Sequence, residues 1–216
     1  MALRDLRPEL RPLYAPGREP SLVDVPELAY LAVDGSGAPA EDAAGPSSEF
    51  QQAIGALYPV AYTIRFTLQR ELGIRSPVMP LEAVWFAGEG GILDPSIPPS
   101  AWRWRALLVV ADEVTAEMTE RAIAEAGRKR PGAMLDRLRF ERWREGPAAQ
   151  VLHVGPYAQE RATVERLLAF VAGRGLAPRG GHHEIYLGDP RLAAPEKLRT
   201  VLRQAVEPAA VAARVR

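Results

Sequence analysis

The 216-residue chain contains no cysteine, has no net charge at pH 7 and carries lysine only at Lys129 and Lys197. Without cysteine, disulfide bonds, thiol nucleophiles and thiolate metal sites are excluded. Because Lys+Arg and Asp+Glu number 27 each, no overall field attracts nucleic acid or an anionic membrane surface. We therefore expect neither a direct nucleic-acid partner nor a membrane partner.

Long apolar runs are missing as well. No segment approaches the roughly 20 apolar residues that a membrane-spanning helix needs. The first residues, MALRDLRPELRPLY, carry charges where a signal peptide has its apolar centre. These features predict a cytoplasmic protein. With 47% hydrophobic residues, the chain is long enough to bury a proper core, in one domain or in two small fused halves.

The order of strand and helix patterns indicates an α+β fold. Strands are expected in SLVDVPELAYLAVDG, PLEAVWFA, WRWRALLVVADE, HHEIYL and EKLRTVLRQAV, and a hairpin of LRFERWRE and AAQVLHVG is expected to turn at Gly146 and Pro147. A glycine-rich loop should begin at Gly88. A first helix is expected from Phe50 to about Leu72, with a capping box at Ser48 and Gln51 and a kink or break at Pro59. A second helix should run from Thr115 to about Arg130, and a third should end at Gly173 or Gly175.

An internal repeat organises these elements. LGIRSPVMPLEAVWF can be laid on RGLAPRGGHHEIYLG without a gap, so that Gly73 matches Gly175 and Glu82 matches Glu184. We expect a tandem pair of βαββ modules with pseudo-two-fold symmetry and mainly antiparallel sheets. The predicted boundaries are a mobile or surface lead-in (1–20), a first module (21–113), a connecting helix and linker (114–137), a second module (138–207) and a C-terminal tail (208–216).

The strand HHEIYL carries the candidate site. In an alternating strand His182, Glu184 and Tyr186 share one face, while His183 and Ile185 share the other. We expect the Ile185 face to pack under helices and Glu184 to project to the opposite side. Because adjacent histidines point to opposite faces, they cannot both bind one ion; we expect no metal and no cofactor.

A carboxylate surrounded by aromatic rings suits two roles. It attracts a cationic or polarised planar ligand, or it acts as a general acid or base when desolvation raises its pKa. A strand glutamate on a solvated face and tryptophans in the core are the competing interpretations. The candidate ligand-binding residues are Glu82, Tyr58, Tyr62, Trp85, Trp102, Trp104, Trp143, His153, His182 and Tyr186.

HVGPY, GGHHEIYLGDP and PEKLRTVLRQAV together resemble the GyrI-like (gyrase-inhibitor-like) small-molecule-binding family, from about Ser21 to Val206. The resemblance implies a tandem pair of strand-helix-strand-strand modules of the SHS2 type, with an aromatic-lined cleft between the halves. It also implies an acidic residue deep inside this central ligand cleft, which falls on Glu184.

Three functions follow from the resemblance. We expect binding of a hydrophobic planar or cationic small molecule, as in the multidrug-binding members. The alternative is a detoxifying hydrolase that opens the cyclopropane ring of electrophilic DNA-alkylating natural products, with Glu184 and Tyr157 as catalytic residues in either assignment and Glu82 as the substitute acid. A gyrase inhibitor or a partner of a transcription regulator is the third; no protein partner can be named.

Overall fold

The computed structural model describes residues 8, 10–39, 48–87, 97–129 and 134–210. The strands are β1 (Ser21–Ser36), β2 (Leu81–Phe86), β3 (Arg103–Val110), β4 (Arg139–Val154), β5 (Leu176–Tyr186) and β6 (Arg199–Pro208). The α-helices are α1 (Arg11–Tyr14), α2 (Glu49–Thr67), α3 (Ala116–Lys129) and α4 (Glu160–Gly173). A π-helical turn (Leu68–Leu72) extends α2, and 3₁₀ turns lie at Pro99–Ala101, Tyr157–Gln159 and Pro195–Lys197.

The six strands form one closed antiparallel barrel in the order β1-β3-β2-β5-β6-β4. The order strand-helix-strand-strand occurs twice along the chain, first as β1, α2, β2, β3 and then as β4, α4, β5, β6. Pairing of β1 with β4 and of β2 with β5 joins the two runs. The mixed helix and strand content and the antiparallel pairing are as expected, but the sheet is closed. A two-fold relation between the runs stays a prediction.

The predicted hairpin at Gly146 and Pro147 is wrong, because β4 is a single strand that runs through both residues. Gly146 has a φ of +74°, a backbone conformation that glycine adopts without strain. Strand β1 pairs with β4 on both sides of Gly146 in one unbroken register, from Ser21 opposite Gln150 to Ala32 opposite Arg139. The turn signal therefore lies inside one long strand.

The helices begin where the sequence predicts. Ser48 and Gln51 form the capping box of α2, and the Thr115 hydroxyl accepts a hydrogen bond from the backbone N–H of Met118 at the start of α3. Helix α2 is not split at Pro59. Within the described part of the chain, no helix is long and apolar enough to cross a membrane. The loop from Gly88, the helix end at Arg130 and residues 211–216 of the tail lie outside the described residues.

Helices cover the outer surface of the barrel. The Phe50 ring of α2 lies 5.0 Å from Trp85 and 5.1 Å from Trp104, measured between ring centres. Leu167 and Val171 of α4 join a second buried apolar cluster on the strands of the other half. The faces of β2 and β3 that carry Trp85 and Trp104 are therefore external. The alternate residues of the same two strands point into the barrel.

The described part of the N-terminal lead-in lies mostly on the surface, with Arg11, Pro12 and Glu19 exposed. Leu10 and Leu13 are buried, and the Gln150 side-chain amide and the Arg203 guanidinium donate hydrogen bonds of 2.7 Å to the carbonyl oxygens of Pro12 and Leu13. Two buried leucines and two buried donors hold this surface segment against the barrel.

Candidate functional site

The outer face of the seam between β2 and β5 carries the candidate site. In this antiparallel pair Ala83 lies opposite Glu184, and Trp85 lies opposite His182. Because paired residues share a face, Glu184 points to the same side as Trp85, which is the side on which α2 packs. Glu184 thus lies on the outside of the barrel, between the helices of the two halves, and its side chain retains 15% exposure.

A chain of hydrogen bonds ends on the Glu184 carboxyl group. The Trp85 Nε1–H donates to the Tyr186 hydroxyl at 3.1 Å, and this hydroxyl donates to Glu184 Oε2 at 2.8 Å. The Tyr157 ring meets the Tyr186 ring edge to face, with 5.8 Å between centres. The result is one carboxyl group, partly exposed, with aromatic surfaces on two sides.

The electrostatics of this group follow from burial. Burial raises the pKa of Glu184 to about 7, against the opposing effect of the Tyr186 hydrogen bond. Burial and the neighbouring His183 lower the pKa of His182 to about 4, so His182 is neutral at pH 7 although its Nε2 lies 3.6 Å from Glu184 Oε1. The site therefore offers a desolvated acid whose nearest base is uncharged.

Glu160 is a second acid at this site, and it was not predicted. It is the first residue of α4, directly after the turn that contains Tyr157, and it is only 8% exposed. Burial and the charge of Glu184 raise the pKa of Glu160 to about 8. A glutamate in the first turn of a helix normally stabilises the helix dipole. The one sequence signal was its i,i+3 spacing from Tyr157, which places both on one side of a turn.

The mouth of the site is its exposed side, where Tyr157 is 39% exposed. Asp189 raises the pKa of both Tyr58 and Tyr157, after the larger effect of burial in each case, so Asp189 lies within electrostatic reach of both rings. Arg191 forms a 2.7 Å ion pair with Asp189 and holds the pKa of that carboxyl group at about 2. Tyr62, one turn beyond Tyr58 on α2, is 45% exposed.

The structure does not bring Glu82 or Trp143 to Glu184. Glu82 Oε2 lies 3.0 Å from His183 Nε2, and the Trp143 ring centre lies 5.9 Å from that of His183. Both residues point into the barrel, on the opposite face of the sheet. The register pairs Glu82 with Ile185, so the Ile185 face, which was expected to pack under helices, lines the barrel interior. Strand β5 has a register shift between Pro178 and His182. An ungapped alignment across this shift therefore matches residues that lie on opposite faces of the sheet.

The remaining predicted residues surround the site at different depths. Trp104 is 1% exposed and belongs to the core beneath α2. Trp102 packs edge-on against Trp85 at 5.8 Å. His153 lies in register with Thr200, which pairs in turn with Tyr186, so His153 is on the outer face, buried beneath the start of α4.

The barrel interior holds a separate network of buried ionisable groups. His183 Nδ1 and Arg203 Nη1 lie 3.0 Å and 3.3 Å from Glu145 Oε2, and Tyr14 donates a hydrogen bond to Glu82. Burial alone would lower the pKa of His183, but Glu145 and Glu82 outweigh it and raise the pKa to about 9. Burial raises the pKa of Glu145, but the positive charges of His183 and Arg203 outweigh this effect and lower the pKa to about 2. Two acids therefore face two bases inside the barrel.

Comparisons with known proteins agree on one family. A model described as "GyrI-like small molecule binding domain" matches residues 108–203. A crystal structure of an uncharacterized conserved protein from Listeria innocua is 37% identical, covers 94% of this chain and 99% of its own, and has a TM-score of 0.83. Two structures described as hydrolases from the same organism are 36% and 38% identical, with TM-scores of 0.80 and 0.81; they cover 94% and 95% of this chain and 99% and 100% of their own. No curated protein matches the chain.

Proposed function

The chain belongs to the GyrI-like small-molecule-binding family, and from this membership we propose that it binds a hydrophobic planar or cationic small molecule over β2 and β5, with Glu184 as the central acid. The observation that carries the proposal is the setting of this carboxyl group, which combines burial, the Tyr186 hydrogen bond and the neutral His182. A cation over an aromatic ring gains about 0.5–2 kcal/mol, and pairing with a desolvated carboxylate adds to this.

A fluorescent planar cation tests the proposal. Ethidium should bind the wild-type protein at pH 8, and Glu184→Gln should weaken this binding at least tenfold, or about 1.4 kcal/mol. Since the carboxyl group must ionise to attract a cation, wild-type binding should weaken as the pH falls below about 7. Glu207→Gln is the control, because Glu207 is an exposed strand glutamate. Equal dissociation constants for wild type and Glu184→Gln would refute the ligand site.

A second candidate is hydrolysis of a strained ring, which the family members named as hydrolases favour. The substrate would carry a spiro-cyclopropane conjugated to a cyclohexadienone. The oxygen of a water molecule bonds to a ring carbon while the ring C–C bond breaks. The electron pair moves to the dienone oxygen, which becomes a phenolate. Glu184 accepts the proton from water, and Tyr157, 39% exposed at the mouth, donates a hydrogen bond to the developing phenolate.

Turnover separates this reaction from simple binding. With excess spirocyclopropyl cyclohexadienone, a hydrolase should convert many equivalents to the hydroxyalkyl phenol, and the dienone absorbance should disappear. Glu184→Gln should abolish conversion and leave the affinity for this neutral compound within about threefold. Protection limited to one equivalent, without the phenol product, would eliminate the enzymatic candidate and leave the binding function intact.

A further inference from the structure

We propose that Glu160 is a second ligand-facing acid of the Glu184 site and that the two carboxyl groups make the site selective for planar ligands with two positively charged centres. This inference rests on the proposed ligand site and adds its charge preference. None of the expectations from sequence included Glu160.

Its position is fixed by the elements around it. Glu160 follows the turn that carries Tyr157, whose ring touches Tyr186. Its charge raises the pKa of both tyrosines. Thr200, the neighbour of Tyr186 in the register of β5 and β6, lowers the pKa of Glu160. Glu160 therefore lies within electrostatic reach of the same two tyrosines that border Glu184.

Unsatisfied polar atoms accumulate at this point. Glu160 Oε1, Thr200 Oγ1 and His182 Nε2 are buried and have no hydrogen-bond partner among the described residues; Thr200 and Glu160 are neighbours without the geometry of a full hydrogen bond. Buried polar atoms are almost always partnered in folded proteins. Three such atoms on one face of β5, β6 and the start of α4 are the arrangement that a polar ligand group satisfies.

The titratable groups around Glu160 are mainly acidic. They are Tyr157 from the preceding turn and Glu184 and Tyr186 from β5, with Asp189 beyond them at the mouth. The neutral His182 lies next to Glu184 on β5, and His153 of β4 lies beneath the start of α4. Two carboxyl groups in a shared, poorly hydrated space do not ionise together easily, so they titrate as a pair. The pair holds at least one proton near pH 7 and carries two charges only above about pH 8, where a dication gains both attractions.

Ethidium and propidium test this preference, because both contain the same planar cationic ring and propidium carries a second fixed positive charge. In wild-type protein the preference for propidium over ethidium should grow at least fivefold between pH 6 and pH 9. In Glu160→Gln it should change less than twofold. Glu165→Gln is the control, since Glu165 lies exposed on the same helix and pairs with Arg161.

The outcomes distinguish the two proposals. If Glu160→Gln keeps the full pH-dependent preference, the inference about Glu160 is wrong while the Glu184 site stands. If the wild-type protein binds neither dye, both are wrong. A second measurement needs no variant: propidium binding at pH 7 should release more than one proton, measured by calorimetry in buffers of different ionisation heat. Glu184 alone, half protonated at its pKa of about 7, can release only about 0.5 proton, so a value at or below this would overturn the inference.

Discussion

The two adjacent histidines of β5 should give the protein opposite responses to acid and alkali. His183 has a folded-state pKa of about 9, above the ordinary value of about 6.5. The protonated form is therefore favoured by folding, and its stabilisation is complete below pH 6.5 and lost as the pH rises through 9. The difference corresponds to about 3 kcal/mol, of which most remains at pH 7 and almost none at pH 9.5. Through His183 alone we expect the free energy of unfolding to fall by about 2 kcal/mol over this range, and Glu160, whose folded-state pKa of about 8 is also raised, adds a further loss as it deprotonates.

Urea unfolding followed by tryptophan fluorescence at pH 7 and pH 9.5 measures this loss. His183→Gln should be about 3–5 kcal/mol less stable at pH 7, because it leaves Glu145 and Glu82 without their shared partner, and between pH 7 and pH 9.5 it should lose about 2 kcal/mol less than the wild type. If this variant does not fold, Glu160→Gln provides the test, because the loss from His183 should remain when the Glu160 titration is removed.

His182→Gln is the matched control, since the side chain lies on the same strand but on the outer face. The pKa of His182 is about 4 in the folded state, so His182 is neutral at both pH values and the control should keep the full alkaline loss. Between about pH 6.5 and 4, His182 binds a proton in the unfolded chain but not in the folded protein. This lowers the free energy of unfolding of the wild type in that range and leaves that of His182→Gln unaffected. A wild-type change below about 0.5 kcal/mol between pH 7 and 9.5, or its disappearance in His182→Gln, would refute the assignment of charge to His183.

Three further substitutions test the packing and the buried charges, each by urea unfolding. Gly55→Ala should raise the free energy of unfolding by about 0.5–1 kcal/mol, because Gly55 lies exposed within α2 with nothing within 4 Å of an added Cβ; a loss would contradict this. Gly35→Ala should lower it by about 1–3 kcal/mol, because the Cβ would lie 2.3 Å from the Trp104 ring; an unchanged midpoint would show that the ring moves freely. Arg203→Met should lower it by about 3–5 kcal/mol by leaving Glu145 short of a cation, and Glu145→Gln in the same chain should recover part of the loss. Additive effects would show that the two side chains do not interact.

Local patterns in the sequence predicted local structure well. The alternation of HHEIYL correctly separated His182, Glu184 and Tyr186 from His183, because strand geometry fixes this within a few residues. Which face packs under helices was predicted wrongly. That choice depends on closure of the barrel through the seams β1–β4 and β2–β5, and pairing between distant strands leaves no periodic signal in the chain.

The site was predictable only in part. The hydrogen bond between Tyr186 and Glu184 follows from their i,i+2 spacing on one strand. Glu160 reaches them from another element, so its role depends on tertiary packing and not on its own segment. Glu82 was matched to Glu184 by an ungapped alignment. Because β5 contains a register shift, the two glutamates lie on opposite faces of the sheet.

The two faces of strand β5 have different roles. On its outward side stand the groups that would meet a ligand, and on its inward side stands His183, on which the conformational stability depends. Randomising positions 182, 184 and 186 should therefore yield folded variants with altered ligand choice, whereas randomising 183 and 185 should yield mostly unfolded ones. A single eleven-residue strand thus allows recognition to diversify while the scaffold is held constant.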